Sequence, residues 1–459
     1  MEVRILNKKQ WAQAGVKAIG AAMYICIFAA FMLLLAIRNP QLLRASRTSV
    51  IVGTSFPLLL LLLSRIYGGF RIGQIKCRNI IYSLGIATVL TDVISYFQLQ
   101  IMNVNKANHA RLMLFDADLL LLAAALAVQL AFIAGAVLGA NRLYFRYHPP
   151  MKCVVIAPTQ EDCGLIRRKL EKFSAKYQVC DCVLPDHPEI RAVIRRNEAA
   201  FLYRLPADRN RELVEYCYKH ARKLYFDMNI EDILARNCDT FMLDDIPMTA
   251  YTRKGLTLYQ RFFKRAMDIV LSLVGIILLS PVMLVCAIAI KRGDGGPVFF
   301  RQTRMSRDGQ LFDIIKFRTM APHAQDMPQH SAQTDDPRIT RVGRALRRFR
   351  LDELPQLFNI LKGEMSVVGP RPEMLENIEN YMQHMPEFAY RNRVKAGLTG
   401  NAQVNGKYNT PPREKLMMDI AYIEDYSFWL DIKLILKTLL VLFSDDSTEP
   451  FGKDENDAG

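Results

Sequence analysis

No two of the nine cysteines form a C-x-x-C pair. Cys180 and Cys182, two apart, suggest no metal site, and the soluble part fits a reduced, cytosolic setting. The chain has no G-x-G-x-x-G, so the usual dinucleotide-binding turn is missing. No small-residue cleavage site follows the first long apolar run, residues 18–37. That run therefore reads as an anchor and not as a removed signal peptide. The basic residues cluster beside apolar segments without an aromatic stacking platform, which disfavours nucleic-acid binding.

What is present is length, apolar runs and positive charge. The 459 residues allow about two or three domains. The formal net charge of +15 suits a phosphate-rich partner or an anionic membrane surface. Charge alone does not choose between nucleic acid, lipid headgroup and nucleotide sugar.

Residues 18–37 are long enough to cross a bilayer core as a helix. Weaker apolar segments follow at 49–64, 79–102 and 119–140, and residues 66–70 can extend the second. The third carries Asp92, which is expected to pack inward. Lys and Arg concentrate before the first segment (Arg4, Lys8, Lys9, Lys17), after the second (Arg65, Arg71, Lys76, Arg78) and after the fourth (Arg142, Arg146, Lys152). The other two loops carry fewer: Arg38, Arg44 and Arg47 in one, Lys106 and Arg111 in the other. This bias predicts a four-helix bundle, residues 1–148, with both ends cytoplasmic. Its expected role is anchor and scaffold. Asp92, Asp116 and Asp118 are the acids that would argue for a transport path.

From Lys152 short apolar strands alternate with amphipathic helices. "CVVIAP", "QVCDCVLP", "AAFLYRLP", "KLYFDMN" and "DTFMLDD" read as strands. "GLIRRKLEKF", "PEIRAVIRR" and "RELVEYCYKHARK" read as helices. The alternation predicts an α/β, Rossmann-like cytosolic domain with a parallel sheet, residues 149–256. Its first turn, "APTQEDCG", points to a degenerate, structural or regulatory domain.

Residues 269–290 are apolar over 22 positions, enough for a fifth span. Ser280–Pro281 falls at the midpoint, where proline removes a backbone donor and kinks or breaks a helix. Both flanks are basic: Arg261, Lys264 and Arg265 before, Lys291 and Arg292 after. A re-entrant helix, 264–291, that breaks at Ser280–Pro281 keeps both flanks on one side. The Ser hydroxyl can satisfy a carbonyl freed by the proline. The alternative is a kinked transmembrane helix.

The strand pattern at 312–317 delivers Lys316 and Arg318 to one face, where two cations could grip a diphosphate. Taken alone, this piece fits a solvated basic edge better. Residues 321–336 read as a mobile loop. Arg338, Arg341, Arg344, Arg347, Arg348 and Arg350 then fall within 13 residues, and Arg341, Arg344 and Arg348 share a helical face. The next helix has Leu354, Leu357, Phe358 and Leu361 at i, i+3, i+4 and i+7. Pro355 suits its first turn and Gly363 its end. Asp352 and Glu353 therefore lie at a helix start, where the dipole and the arginines are expected to keep Asp352 ionised. An ionised pair can act as nucleophile or as Mg²⁺ ligands. A helix cap is the plainer role for Asp352, but capping alone calls for neither the second acid nor the arginine run. "GPRP" fixes Arg371 between two prolines, either as a rigid phosphate ligand or as a plain turn. "KAGLTGNAQVNG" is a glycine- and amide-rich loop of a kind that can surround a nucleotide.

"KRAMDIV", Ser280–Pro281, "KFRTM", "RLDELPQLFNILKGEMSVVGPRPE" and "GLTGNAQV", in that order, resemble the bacterial sugar transferase family, the polyprenyl-phosphate hexose-1-phosphate transferases. The likeness covers residues 262–443, and the upstream bundle and α/β domain resemble the family's long form. The resemblance implies a multi-pass protein of the bacterial inner membrane. A mixed α/β, membrane-associated catalytic domain (257–443) with a re-entrant helix would face the cytoplasm. It implies transfer of a sugar phosphate from a UDP-hexose to undecaprenyl phosphate, releasing UMP, as the first membrane step of exopolysaccharide, capsule or O-antigen synthesis. Asp352 would be the nucleophile of an aspartyl–phosphosugar intermediate, with Glu353 assisting as metal ligand or in positioning, and Mg²⁺ as the metal. Lys316, Arg318, Arg350 and Arg371 would hold phosphates, and Gln403 would lie near the nucleotide. A homo-oligomer is left open. The competing readings are a glycosyltransferase that passes the sugar alone and releases UDP, and a non-catalytic membrane scaffold or regulator. The helix at 428–443 is too short to span and is expected to lie on the membrane surface near Trp429. The acidic tail, 444–459, is expected to be disordered.

Overall fold

A computed structural model describes residues 2–103, 117–236, 238–251, 256–321, 338–407 and 410–442. Asp116, Lys106, Arg111, nearly all of the loop expected at 321–336, and the acidic tail lie outside the described residues. Contacts divide the chain into two compact units, Met1–Asp227 and Met228–Gly459.

The first unit opens with α1 (Glu2–Ala36), α2 (Arg47–Tyr67), α3 (Cys77–Asn103) and α4 (Ala117–Tyr147). All four contain segments long and apolar enough to cross a membrane. Ile27, Phe31, Phe56, Leu60, Leu84 and Ile133 form their common core, and the Phe31 and Phe56 rings meet at 4.6 Å. Asp92 packs inward as expected. It is 2% exposed and accepts a hydrogen bond from Gln129 Nε2 at 3.1 Å.

The same unit continues with β1 (Met151–Ile156), α5 (Gln160–Glu171), β2 (Tyr177–Val183), α6 (Ile190–Arg196), β3 (Ala199–Leu202), α7 (Ala207–Lys219) and β4 (Lys223–Phe226). The four strands form one parallel sheet in the order β2-β1-β3-β4. β1 is central and Val154, Val155 and Ile156 are fully buried, as a strand covered on both faces must be.

The second unit begins with α8 (Ile230–Ala235), β5 (Asp239–Leu243) and β6 (Ile246–Ala250). The fifth expected strand, "DTFMLDD", is thus β5, and it does not join the parallel sheet. It pairs antiparallel with β6. The reason is local: Asp244, in the left-handed region at φ 58°, turns the chain straight back.

Helix α9 (Leu258–Asp294) has 37 residues, about 55 Å of helix. Its backbone stays helical through Ser280–Pro281, so the expected break is not an interruption of the helix. The Ser280 hydroxyl donates to Ile277 O at 2.8 Å. That carbonyl is the one the missing N–H of residue 281 would have engaged. Leu278, Leu284 and Val285 on its flank are exposed.

β7 (Phe299–Met305) and β8 (Leu311–Phe317) form an antiparallel pair. Next come α10 (Arg341–Arg348), α11 (Gln356–Lys362), β9 (Ser366–Val368), α12 (Leu375–His384), β10 (Gly397–Thr399), α13 (Asn401–Asn405), α14 (Pro412–Glu424) and α15 (Phe428–Leu442). β9 and β10 pair in parallel. Pro355 and Gly363 bound α11 as expected, Gly363 at φ 94°. The buried face of α11 is Gln356, Leu357, Asn359 and Ile360, and Phe358 points outward. Asn359 explains the shift. Its amide bonds one edge of β8 twice, accepting from Ile315 N (3.0 Å) and donating to Asp313 O (2.8 Å). α15 is also only partly a surface helix: Trp429 is exposed, but Leu434 and Asp431 are buried in the unit's interior.

Candidate active site

The acid pair lies in a short 3-10 turn, Leu351–Glu353, between α10 and α11. Arg350 opens this turn at φ 53°. The left-handed residue reverses the chain so that Glu353 meets β8 and the loop after β9. Lys316 Nζ, from β8, lies 3.3 Å from Glu353 Oε1. Arg371, from the "GPRP" loop, donates to the same oxygen at 3.0 Å.

The Arg371 loop is held by three hydrogen bonds, two to β10 and one to Arg391. Gly397 N donates to Pro370 O and Gly369 N to Thr399 O, both at 2.8 Å. A Cβ on Gly397 would stand 2.0 Å from Gly369 N, so only glycine allows the two backbones this close. Arg391 donates to Arg371 O at 2.9 Å and is itself paired with Asp419 at 2.8 Å.

These groups line a cavity of about 440 Å³. Among the described residues, seven cations face it: Arg304, Lys316, Arg350, Arg371, Arg391, Lys407 and Lys415. The carboxylates in the lining are Glu353 and Glu373. Gln403 lines it too, and its buried Oε1 has no hydrogen-bond partner among the described residues. Lys316, Arg350, Glu353, Arg371 and Gln403 are thus brought together as expected. Asp352 is next to the lining but not part of it.

Arg318 is not brought there. It is 4% exposed, pairs with Asp294 at the end of α9 and donates to Pro297 O at 2.7 Å. β8 ends at Phe317, so the two-residue alternation that carries Lys316 into the cavity stops one residue short of Arg318. Arg341, Arg344 and Arg348 do share an outward face of α10. Among the described residues, Arg350 alone of the six clustered arginines lines the cavity.

Arg304, Glu373, Arg391 and Lys415 were not evident in the sequence. Arg304 is the cross-strand partner of Phe312, so its place depends on the β7–β8 register. The others arrive from later segments by long-range packing.

The electrostatics of the pair differ from the sequence expectation. Burial raises the Asp352 carboxyl above its ordinary value, and the adjacent Glu353 charge adds to this; Lys316, Arg347 and Arg371 oppose it. Burial also pushes Glu353 upward, but Arg371, Lys316 and Arg350 outweigh it and hold Glu353 well below the usual carboxylate range. Glu353 is the firm anion, and Asp352 is the more basic carboxyl. A carboxyl's ionisation follows burial and its nearest charge more than a helix end one turn away. Burial lowers the Lys316 ammonium and brings Arg304 down to about 10.

Among the described residues no group of three or more His, Cys, Asp or Glu gathers around one point. A dedicated protein cage for a metal is therefore not built from them. Glu353 in the cation-lined cavity, with Asp352 adjacent to it, does fit Mg²⁺, which takes one or two carboxylates and leaves the rest to water and substrate phosphates.

The second unit thus holds a cation-lined cavity and a long, apolar, exposed helix of a length that can cross a membrane. Residues 259–445 match the family described as bacterial sugar transferase, and the chain belongs to that family. It is 41% identical over 202 residues to a UDP-glucose:undecaprenyl-phosphate glucose-1-phosphate transferase of Escherichia coli (strain K12), covering 43% of this chain and 44% of that protein. A protein of the same description from Caulobacter vibrioides is 41% identical over 189 residues, 40% of this chain and 71% of that one. A UDP-N-acetylgalactosamine-undecaprenyl-phosphate N-acetylgalactosaminephosphotransferase of Aeromonas hydrophila is 40% identical over 186 residues, 40% of this chain and 44% of that protein. The chain spans about half the length of most of the curated relatives it matches.

Proposed function

We propose that this protein transfers a hexose-1-phosphate from a UDP-sugar to undecaprenyl phosphate, releasing UMP. The observation that carries this reading is Glu353, held between Lys316 and Arg371 beside Asp352 in a cation-lined cavity. The family relatives, whose names specify glucose-1-phosphate or N-acetylgalactosamine-phosphate transfer to undecaprenyl phosphate, support it.

In this reading the Asp352 carboxylate attacks the sugar-bearing phosphorus of the donor. The phosphoanhydride bond breaks, and its bridging oxygen leaves with UMP. An oxygen of undecaprenyl phosphate then attacks the same phosphorus, which frees Asp352 and forms the lipid diphosphate sugar. A carboxyl raised above its ordinary value is a stronger nucleophile once ionised. Lys316, Arg350 and Arg371 reduce the repulsion between anions that must meet. Glu353 keeps two of those cations in place. Gln403, with its unpartnered oxygen, can accept a hydrogen bond from the nucleotide or sugar. Mg²⁺ held by Asp352 and Glu353 would supply further neutralisation of the phosphates. Arg318 serves instead to join α9 to β8.

α9 enters and leaves the membrane on one side. Its N-terminal part bonds β9 through Asp268, and its last residue, Asp294, pairs with Arg318. Both ends thus contact the same unit, which supports a helix that returns to the side it entered from. The outward arginines of α10, beside exposed Phe349, suit an anionic lipid surface. The bundle anchors the chain in the bacterial inner membrane, with the catalytic body cytoplasmic. The α/β domain is a Rossmann-like domain with a degenerate nucleotide site: at the N-terminus of α5, where a phosphate would lie, the Thr159 hydroxyl already accepts from Asp162 N. The product feeds exopolysaccharide, capsule or O-antigen assembly.

The test is to incubate membranes containing the protein with undecaprenyl phosphate, Mg²⁺ and a panel of UDP-sugars, and to measure released nucleotide. UMP release that Asp352→Ala abolishes is the expected result. No UMP from any donor, UDP in its place, or unchanged release by Asp352→Ala overturns the reading.

A further inference from the structure

Helix α9 reaches the site through charged side chains at its N-terminal end that do not line the cavity. Lys264 is 6% exposed. Its ammonium donates to Val368 O at 2.9 Å, to Asp431 at 2.7 Å and to the Tyr422 hydroxyl at 3.1 Å. One turn later Asp268 is 3% exposed. Its Oδ1 accepts from Val367 N at 2.8 Å and from Ser366 Oγ at 3.0 Å. Two buried charges on one helix face thus grip the backbone of β9. β9 runs directly into Gly369, Pro370 and Arg371.

A buried ion pair is a poor device for stability, because desolvating two charges offsets most of their attraction. It is a good device for fixing geometry, since both partners need one arrangement to be satisfied. What these charges hold is the start of a proline-flanked arginine, where a small backbone shift moves the guanidinium tip. We propose that Lys264 and Asp268 are positioning residues for Arg371, making the seat of α9 in the membrane and the reach of Arg371 one mechanical unit. This rests on the assignment of Arg371 to the donor phosphates.

The test is a mutant cycle on the full-length protein in membranes or nanodiscs. Lys264→Met with Asp431→Leu removes both charges together, so neither is left buried alone. The expected result is an unchanged Tm, an unchanged KM for undecaprenyl phosphate, and kcat/KM for the UDP-sugar lowered about tenfold. In an Arg371→Lys background the same pair change should cost nothing further, because residues acting through one group are not additive. If the pair variant loses Tm, Asp268→Asn and Asp268→Ala carry the same cycle. Asn keeps an oxygen for Val367 N and should retain activity, and Ala should lose it in the Arg371 background alone. Full activity of the variants, or equal losses in both backgrounds, overturns the proposal. Wild-type protein that releases no UMP from any donor overturns the parent reading instead.

Discussion

Arg371 donates to Glu353 Oε1 at 3.0 Å, and Lys316 reaches that same oxygen at 3.3 Å. One carboxylate therefore sets the position of two cations that come from segments 55 residues apart in the chain. Glu353 is held ionised by these cations, and Asp352 is the more basic carboxyl of the pair.

Glu353→Gln keeps the shape and removes the charge. Lys316 and Arg371 then face each other without their common partner. Breaking a buried charge pair from one side costs about 3–5 kcal/mol, discounted here because the Arg371 side chain is 42% exposed. We expect UMP release to fall by about 30-fold or more, an effect of about 2 kcal/mol. A loss below threefold in the UMP assay would count against the role given to Glu353.

The pH dependence follows from the directions of the shifts. Asp352 is raised, so its ionised form develops only above the ordinary aspartate range. Lys316 is lowered, so its charge is lost before the ordinary lysine range is reached. The kcat/KM for the UDP-sugar should rise with pH on the Asp352 limb and fall on the Lys316 limb. In Glu353→Gln both limbs should move to lower pH. Asp352 loses a like charge that raises it, and Lys316 loses the opposite charge that supports it. A pH–rate profile of both proteins checks this, and limbs that stay in place would contradict the assignment.

Arg318→Met should lower Tm without changing the donor KM. Arg318 joins the end of α9 to β8 through Asp294 and Pro297 O, and because Asp294 lies at the surface its loss should cost about 1 kcal/mol. A raised donor KM at unchanged Tm would restore Arg318 to the phosphate site.

Cysteines placed at Tyr259 and Arg292, both exposed, test the path of α9. In a background stripped of native cysteines, both should react with an impermeant reagent in inside-out vesicles and neither in intact spheroplasts. Labelling of opposite ends from opposite sides would mean that α9 crosses the membrane.

Much of the local structure was legible because its causes are local. Apolar runs of sufficient length make helices, and Pro355 and Gly363 bound α11 through backbone constraints that their neighbours cannot override. The Ser280 hydroxyl answers the proline that follows it, a repair contained within one turn of helix. It accompanies a backbone that stays helical through Ser280–Pro281. β5 was misplaced in the parallel sheet because an apolar run does not carry its partner, and the tight turn at Asp244 selected β6.

The sequence by itself determined that an acid pair, a basic strand and a proline-fixed arginine occur in this chain, and that the surrounding helices suit a membrane. Only the tertiary structure decided their division of labour. Ionisation depends on burial and on charges brought from distant segments, so spacing could not reveal that Glu353, and not Asp352, is the firm anion. Strand register and chain reversal at Arg350 decided that Lys316 enters the cavity while Arg318 turns to α9. Long-range packing added Arg304 and Arg391, residues whose local sequence carries no mark of the site they complete.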